Sequence, residues 1–203
     1  RESISSLHET SRQASSLLSS DDLYLFNEGT HFHLYDKLGA HPTSFGGVEG
    51  TYFAVWAPEA EQVSVFGTFN HWDPTRHPLR PCQSSGIWEG FVPGVGRGTL
   101  YKFHIRSRNH GAVLIKTDPF ARLNEVPPKS ASIVWDLNYT WHDHDWMQSR
   151  ARHNALNAPI SIYEVHLGSW MRVPGDGNRS LSYREAAPKL IDYVQRLGFT
   201  HVE

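Results

Sequence analysis

One cysteine, Cys82, in 203 residues excludes a disulfide framework and a CxxC metal clip, and it fits a reducing compartment. No apolar run approaches the roughly 18 residues of a membrane span. The start, Arg1-Glu2-Ser3-Ile4, has neither an initiator Met nor the apolar core of a signal peptide, so it is expected to be a cut end. A charge excess of one sign is missing as well. Lys and Arg number 19 against 21 Asp and Glu, a net charge of -2 with a pI near 6.7. Neither nucleic acid nor an anionic membrane has an electrostatic reason to bind such a chain. A cytoplasmic protein that needs no cofactor is expected, and a monomer.

Aromatic residues, by contrast, are plentiful. They make up 12% of the chain and include seven Trp, inside a hydrophobic content of 39% that is enough for a packed core. Such enrichment is compatible with a carbohydrate-binding surface. The stretch that says most runs from Val63 to Asp73. Val63 and Val65 alternate with Gln62 and Ser64, the period of a half-buried strand, and Gly67 breaks the run. Phe69-Asn70-His71-Trp72-Asp73 then crowds rings beside amide and carboxylate groups before Pro74, which cannot continue a ladder. A flat ring with polar neighbours suits a pyranose, which has one face of C–H bonds and a rim of hydroxyls. Either Trp72 lies on the surface as such a plate, or it folds inward as core.

The segments on either side differ in kind. Residues 1–21, rich in Ser, are expected to be a tail or the end of an upstream domain. Residues 22–49 are too apolar for a free linker and read as an extended strap; His31, His33 and His41 lie there without metal-ligand spacing. From 50 to 137 every signal is β, with short strands at Tyr52–Trp56, Val63–Phe66, Ile87–Val92, Leu100–Ile105 and Ala112–Ile115 separated by Gly, Pro and Asn turns. That rhythm predicts a mainly β fold, an immunoglobulin-like antiparallel β-sandwich. Alternation sets Leu100, Lys102 and His104 on one side of their strand and Tyr101, Phe103 and Ile105 on the other. Lys102 is therefore either a sugar-facing donor beside Trp72 or a solvated lysine. Residues 138–158 read as a linker, and the patch Trp141-His142-Asp143-His144-Asp145-Trp146 within it lacks a tetrahedral ligand spacing, so no metal site is expected.

Residues 159–203 change period. A strand ending at Gly168 is followed by a Gly/Pro loop and a helix opened by a capping box at Ser182 and Glu185. Tyr183, Ala187, Leu190, Ile191, Val194 and Leu197 share a stripe, Pro188 predicts a kink, and Gly198 predicts the stop. Phe199–Glu203 enters a second strand. One β/α unit of this kind cannot bury both of its own faces.

Four segments resemble the α-glucan branching enzymes of the α-amylase superfamily (glycoside hydrolase family 13), in the bacterial glycogen type. They are Tyr35–His41, Phe53–Pro58 with Val63–Trp72, Leu100–Phe103 with Thr117–Pro119, and Ile162–Trp170. The resemblance covers about residues 22–203 in order. It implies a glycogen-binding sandwich followed by the first β/α unit of a truncated (β/α)8 barrel. It also implies α-glucan as the partner and Trp72 and Lys102 as contacts. The expected glucan-binding set is Trp72, Lys102, Asn70 and Trp88. Full-length relatives move a glucan chain from an α-1,4 to an α-1,6 linkage by a retaining route, and their catalytic carboxylates lie on later strands. Neither Glu164 nor Glu203 replaces them, so no catalytic residue is expected here. A non-catalytic glycogen-binding module and a debranching or trehalose-forming relative remain the alternatives.

Overall fold

Short runs of Val, Ile and aromatic residues, stopped by Gly and Pro, become the strands. The computed structural model describes residues 16–203, which divide into two units between Tyr139 and Thr140. In the first unit, β1 (Gly39–Phe45), β2 (Val48–Trp56), β4 (Arg80–Pro81) and β5 (Ile87–Pro93) form one antiparallel sheet in the order β1-β2-β5-β4. A second antiparallel sheet joins β3 (Ala60–Gly67), β6 (Leu100–Ser107), β9 (Ser132–Ile133) and β8 (Leu123–Asn124), with β7 (Val113–Lys116) also on β6. The chain changes sheet after β2, β3 and β5, so the two sheets share one core. Phe53, Val55, Trp88 and Val92 meet Val63, Val65, Tyr101 and Phe103 there. The inward residues of β3 and β6 are those that alternation assigned.

The segment expected to be an extended strap is instead part of the fold. Ser20–Glu28 is helix α1. Its N-terminus is held by a capping box: the Asp22 N–H donates to Ser19 Oγ, and the Ser19 N–H donates to the Asp22 carboxylate at 2.8 Å. Gly29, at φ 84°, ends it in the left-handed conformation. Leu23 and Phe26, with Leu17 and Leu18, cover Leu38, Tyr52, Ala54 and Ile87 in a second core on the outer face of the first sheet. Most of β2 is thus buried on both faces. Residues 39–45 of the expected strap are β1 itself, and of the expected tail residues 1–15 lie outside the described residues. Beside the second core the buried Glu89 carboxylate accepts bonds from Tyr52 Oη, Ser16 Oγ (2.6 Å) and Arg80 (Nε 3.2 Å, Nη2 3.0 Å), which satisfies a group that would otherwise be costly to bury.

In the second unit the expected linker carries helix α2 (His144–His153). β10 (Ile162–Tyr163) pairs in parallel with β13 (His201–Val202), and between them run a short helix α3 (Leu167–Trp170), a hairpin of β11 (Arg172–Val173) and β12 (Arg179–Ser180), and helix α4 (Tyr183–Leu197). Ser182 and Glu185 form the capping box, Gly198 at φ 78° closes the helix, and Pro188 lies inside an unbroken helical span. The helix buries Ala186 and Val194 and sets Tyr193 against Tyr163 and Trp170. Tyr183, Ile191 and Leu197, expected on the buried stripe, are exposed. The inward face is rotated towards Ala186, Leu190 and Tyr193 because the two-stranded sheet covers one side of the helix only.

Leu23→Ala is expected to destabilise the chain by roughly 2–4 kcal/mol, read from the urea midpoint at unchanged slope. A shift under about 0.5 kcal/mol, the range of ordinary surface changes, would mean that α1 is not packed on the sheet.

Candidate functional site

The end of β3 and the turn after it hold the sequence-predicted site. On the outer side of the second sheet, Phe66 lies opposite Lys102 and Ser64 opposite His104, with Ile115 of β7 beyond His104. Phe66 meets the Trp72 indole edge-on, with ring centroids 5.5 Å apart and planes at 84°, and meets His104 at 6.2 Å and 90°. Phe66 is itself buried while Trp72 is 39% exposed, so the smaller ring is a footing for the larger. The Lys102 ammonium, on the same face, donates to Ser130 Oγ at 2.8 Å. An indole, an ammonium, an imidazole and a hydroxyl thus share one face, which offers an apolar plate and polar donors and acceptors to a ring of hydroxyls.

Backbone geometry raises the indole. His71 and Trp72 are consecutive non-glycine residues at φ 57° and 60°, a conformation that persists only when its surroundings over-determine it. Here the Trp72 N–H donates to the Gly67 carbonyl at 2.9 Å and the Asp73 N–H to the Asn70 carbonyl at 3.1 Å. The Asn70 side chain completes the clasp. Its Oδ1 accepts from the Gly67 N–H at 2.9 Å, and its Nδ2 donates to the Asp73 carbonyl at 3.0 Å and to His77 Nδ1 at 2.9 Å. Asp73 in turn accepts from the Thr75 N–H and hydroxyl, which hold its carboxyl below the usual range. After the turn the chain doubles back along β3: the Val65 N–H donates to the His77 carbonyl and the Leu79 N–H to the Val63 carbonyl. That return covers the free edge of the strand.

Of the expected contacts, Trp72 and Lys102 come together around Phe66. The other two are corrections. Asn70 is 2% exposed with its amide fully engaged inside the turn, so it shapes the surface without reaching it. Trp88 is 8% exposed in the sandwich core, and its Nε1–H donates to the Ala57 carbonyl at 3.0 Å. Sequence reasoning passed over Phe66, although its place two residues after outward Ser64 marks it as an outward aromatic. Nothing in the spacing pointed to Ser130 or His77. His31, His33 and His41 bond to Asp22, Tyr35 and the Leu38 carbonyl in turn, and no group of three or more His, Cys, Asp or Glu side chains able to hold a metal occurs among the described residues. Among the described residues no helix is long and apolar enough to cross a membrane.

The family described as carbohydrate-binding module 48 (isoamylase N-terminal domain) matches residues 37–121. The 1,4-alpha-glucan branching enzyme GlgB of Gloeobacter violaceus is 54% identical over 199 residues, 97% of this chain and 27% of that protein. The protein of the same name from Aquifex aeolicus is 52% identical over 189 residues, 93% of this chain and 30% of that one. The chain therefore spans under a third of these relatives. Among solved structures, a ligand-free PulA from Klebsiella pneumoniae aligns with 66% of this chain and 14% of its own at a TM-score of 0.47 and 23% identity.

Gly67→Ala tests the clasp. A Cβ there would run into the Leu100 carbonyl oxygen, so β3 and β6 must part. The variant is expected to lose about 1–3 kcal/mol in a urea titration; wild-type stability would show that the turn does not depend on this close approach.

Proposed function

We propose, for a chain homologous over nearly all of its length to the 1,4-alpha-glucan branching enzymes, that it is the glucan-binding N-terminal part of such an enzyme. The observation that carries this reading is the half-exposed indole of Trp72, footed on Phe66 and flanked by Lys102 and His104 on an open sheet face. A planar ring of this exposure stacks on the C–H face of a glucose residue, and the lysine and imidazole reach its hydroxyls. Soluble or branched α-glucan is the partner. Trp72 and Lys102 are its contacts; Asn70 acts by holding the turn.

The second unit supports an enzyme over a free-standing binding module. A parallel pair of strands joined through a helix, as β10, α4 and β13 are, is the repeating unit of an α/β barrel, and we read it as the first such unit. Apolar Ile162, Val202 and Ile191, all exposed, are then faces for further barrel elements. The complete enzyme would break an α-1,4 link and pass the glucosyl chain to a 6-hydroxyl. Residues 1–203 would supply binding and no complete active site. Exposed Glu164 and Glu203, whose main-chain N–H donates to the Tyr163 carbonyl, are edge positions of the strand pair. A cytoplasmic monomer without nucleic-acid or membrane partners completes the proposal.

Trp72→Ala is expected to weaken retention in a glycogen-containing native gel by roughly tenfold, about 1.4 kcal/mol, while the melting temperature stays close to wild type. Unchanged mobility would remove Trp72 from the binding surface. New branch points made by the purified chain on amylose would refute the division of labour.

A further inference from the structure

The orientation of the Asn70 amide is fixed twice without reference to His77. Only an acceptor can meet the Gly67 N–H, so the atom there is Oδ1, and only a donor can meet the Asp73 carbonyl, so the atom there is Nδ2. The remaining hydrogen of Nδ2 points at His77 Nδ1, 2.9 Å away, and that nitrogen must therefore carry a lone pair. A proton on His77 Nδ1 would set N–H against N–H. Turning the amide over to escape would put Nδ2 against the Gly67 N–H and Oδ1 against the Asp73 carbonyl, at a site only 2% exposed where water cannot repair the loss.

Building on the reading of Trp72 as the sugar plate, we infer that His77 is a positioning residue for that plate, acting through Asn70, and that it does so only as the neutral imidazole protonated on Nε2, so that glucan binding is sensitive to protons. The chain of contact is short. His77 holds Asn70, Asn70 holds the Gly67–Asp73 turn, and that turn keeps Trp72 in its left-handed conformation. Little slack is available, because the His77 carbonyl is also tied to the Val65 N–H at 3.0 Å and its ring packs edge-on against Phe69 at 5.1 Å.

The charged groups that bear on His77 are Arg76, which opposes a second positive charge, and Asp73, which favours it; the 3₁₀ turn Thr68–Asn70 packed on the ring presents Phe69 and Asn70 to it, both uncharged. Burial first and Arg76 second hold the imidazole below the ordinary histidine range, against the pull of Asp73. A folded pKa depressed in this way gives a stabilisation that is complete above the unfolded value of about 6.5 and is lost as pH falls through the lower folded value. The clasp is thus whole at neutral pH and opens on the acid side.

The test is glycogen affinity of the whole chain, measured by gel retention from about pH 7.5 down to about pH 5, for wild type and for His77→Asn. Asparagine places Oδ1 near the position of Nδ1 and does not titrate. Wild-type affinity is expected to fall below the His77 pKa by up to about tenfold per pH unit, and the His77→Asn profile to stay flat. A flat wild-type profile, or a parallel fall in both proteins, overturns the inference. Nitrogen NMR of wild type covers the case in which the variant does not fold: Nδ1 is expected unprotonated at neutral pH, with the Trp72 indole resonance shifting at the His77 midpoint, and an Nδ1–H tautomer refutes it. Should Trp72→Ala bind glycogen normally while the His77 titration still moves the indole, the sugar-plate reading fails and the proton coupling stands.

Discussion

The three hydrogen bonds of one buried amide, that of Asn70, are what the candidate site depends on. They join the last residue of β3, the carbonyl of Asp73 and the imidazole of His77, and so close a loop that local preference opposes. Two neighbouring non-glycine residues at positive φ cost of order 1–3 kcal/mol each when nothing repays them. A buried, fully bonded amide does repay them, because any relaxation of the turn would strand a donor or acceptor away from water. The strain at His71 and Trp72 and the burial of Asn70 are two sides of one arrangement: the indole stands out because the amide beside it is turned in.

The position of the site follows from which face of the sandwich is left open. Each sheet has an outer face, and the first is closed by Leu17, Leu18, Leu23 and Phe26 from the segment before β1. The second sheet carries Phe66, Lys102, His104 and Ile115 outward, and the α-helix described in this unit, α1, packs on the first sheet instead. The inward residues of the same strands, Val63, Val65, Tyr101 and Phe103, are at most 2% exposed. Period-2 alternation therefore divides the labour residue by residue. Changes on the outer side can alter recognition while the core that fixes the register of β3 and β6 stays as it is.

The same alternation explains what could be read from the sequence and what could not. Where a strand has one wet face, as β3 and β6 do, the pattern assigns sides, and it placed Lys102 opposite Tyr101 and Phe103 correctly. In β5, Ile87, Trp88 and Glu89 are buried in succession because α1 covers one side and the second sheet the other. No periodicity survives there, and Trp88 could not be told from a surface indole. Helix α1 was missed for a related reason: Leu23 and Phe26 are few, and Ser19 with Asp22 gives the capping box an Asp where Glu or Gln is the stronger signal. Asn70 failed differently. Composition marks a turn but does not say which way its amide faces, and the deciding partner, His77, lies seven residues on across a change of direction.

The second unit shows how far local rules reach when tertiary partners decide burial. The capping box, the Gly198 stop and the strand after it follow from the sequence, since each is settled within a few residues. Which stripe of α4 is buried does not. An amphipathic helix presents an apolar arc wider than a two-stranded sheet can cover, so Ala186, Val194 and Tyr193 find β10 and its neighbours while Ile191, Leu197 and Tyr183 face water. Exposed Ile162 and Val202, on the two strands themselves, face the same shortage. Apolar surface of this kind on both a helix and its sheet is area that neither element covers for the other, and local sequence rules carry no information about what would.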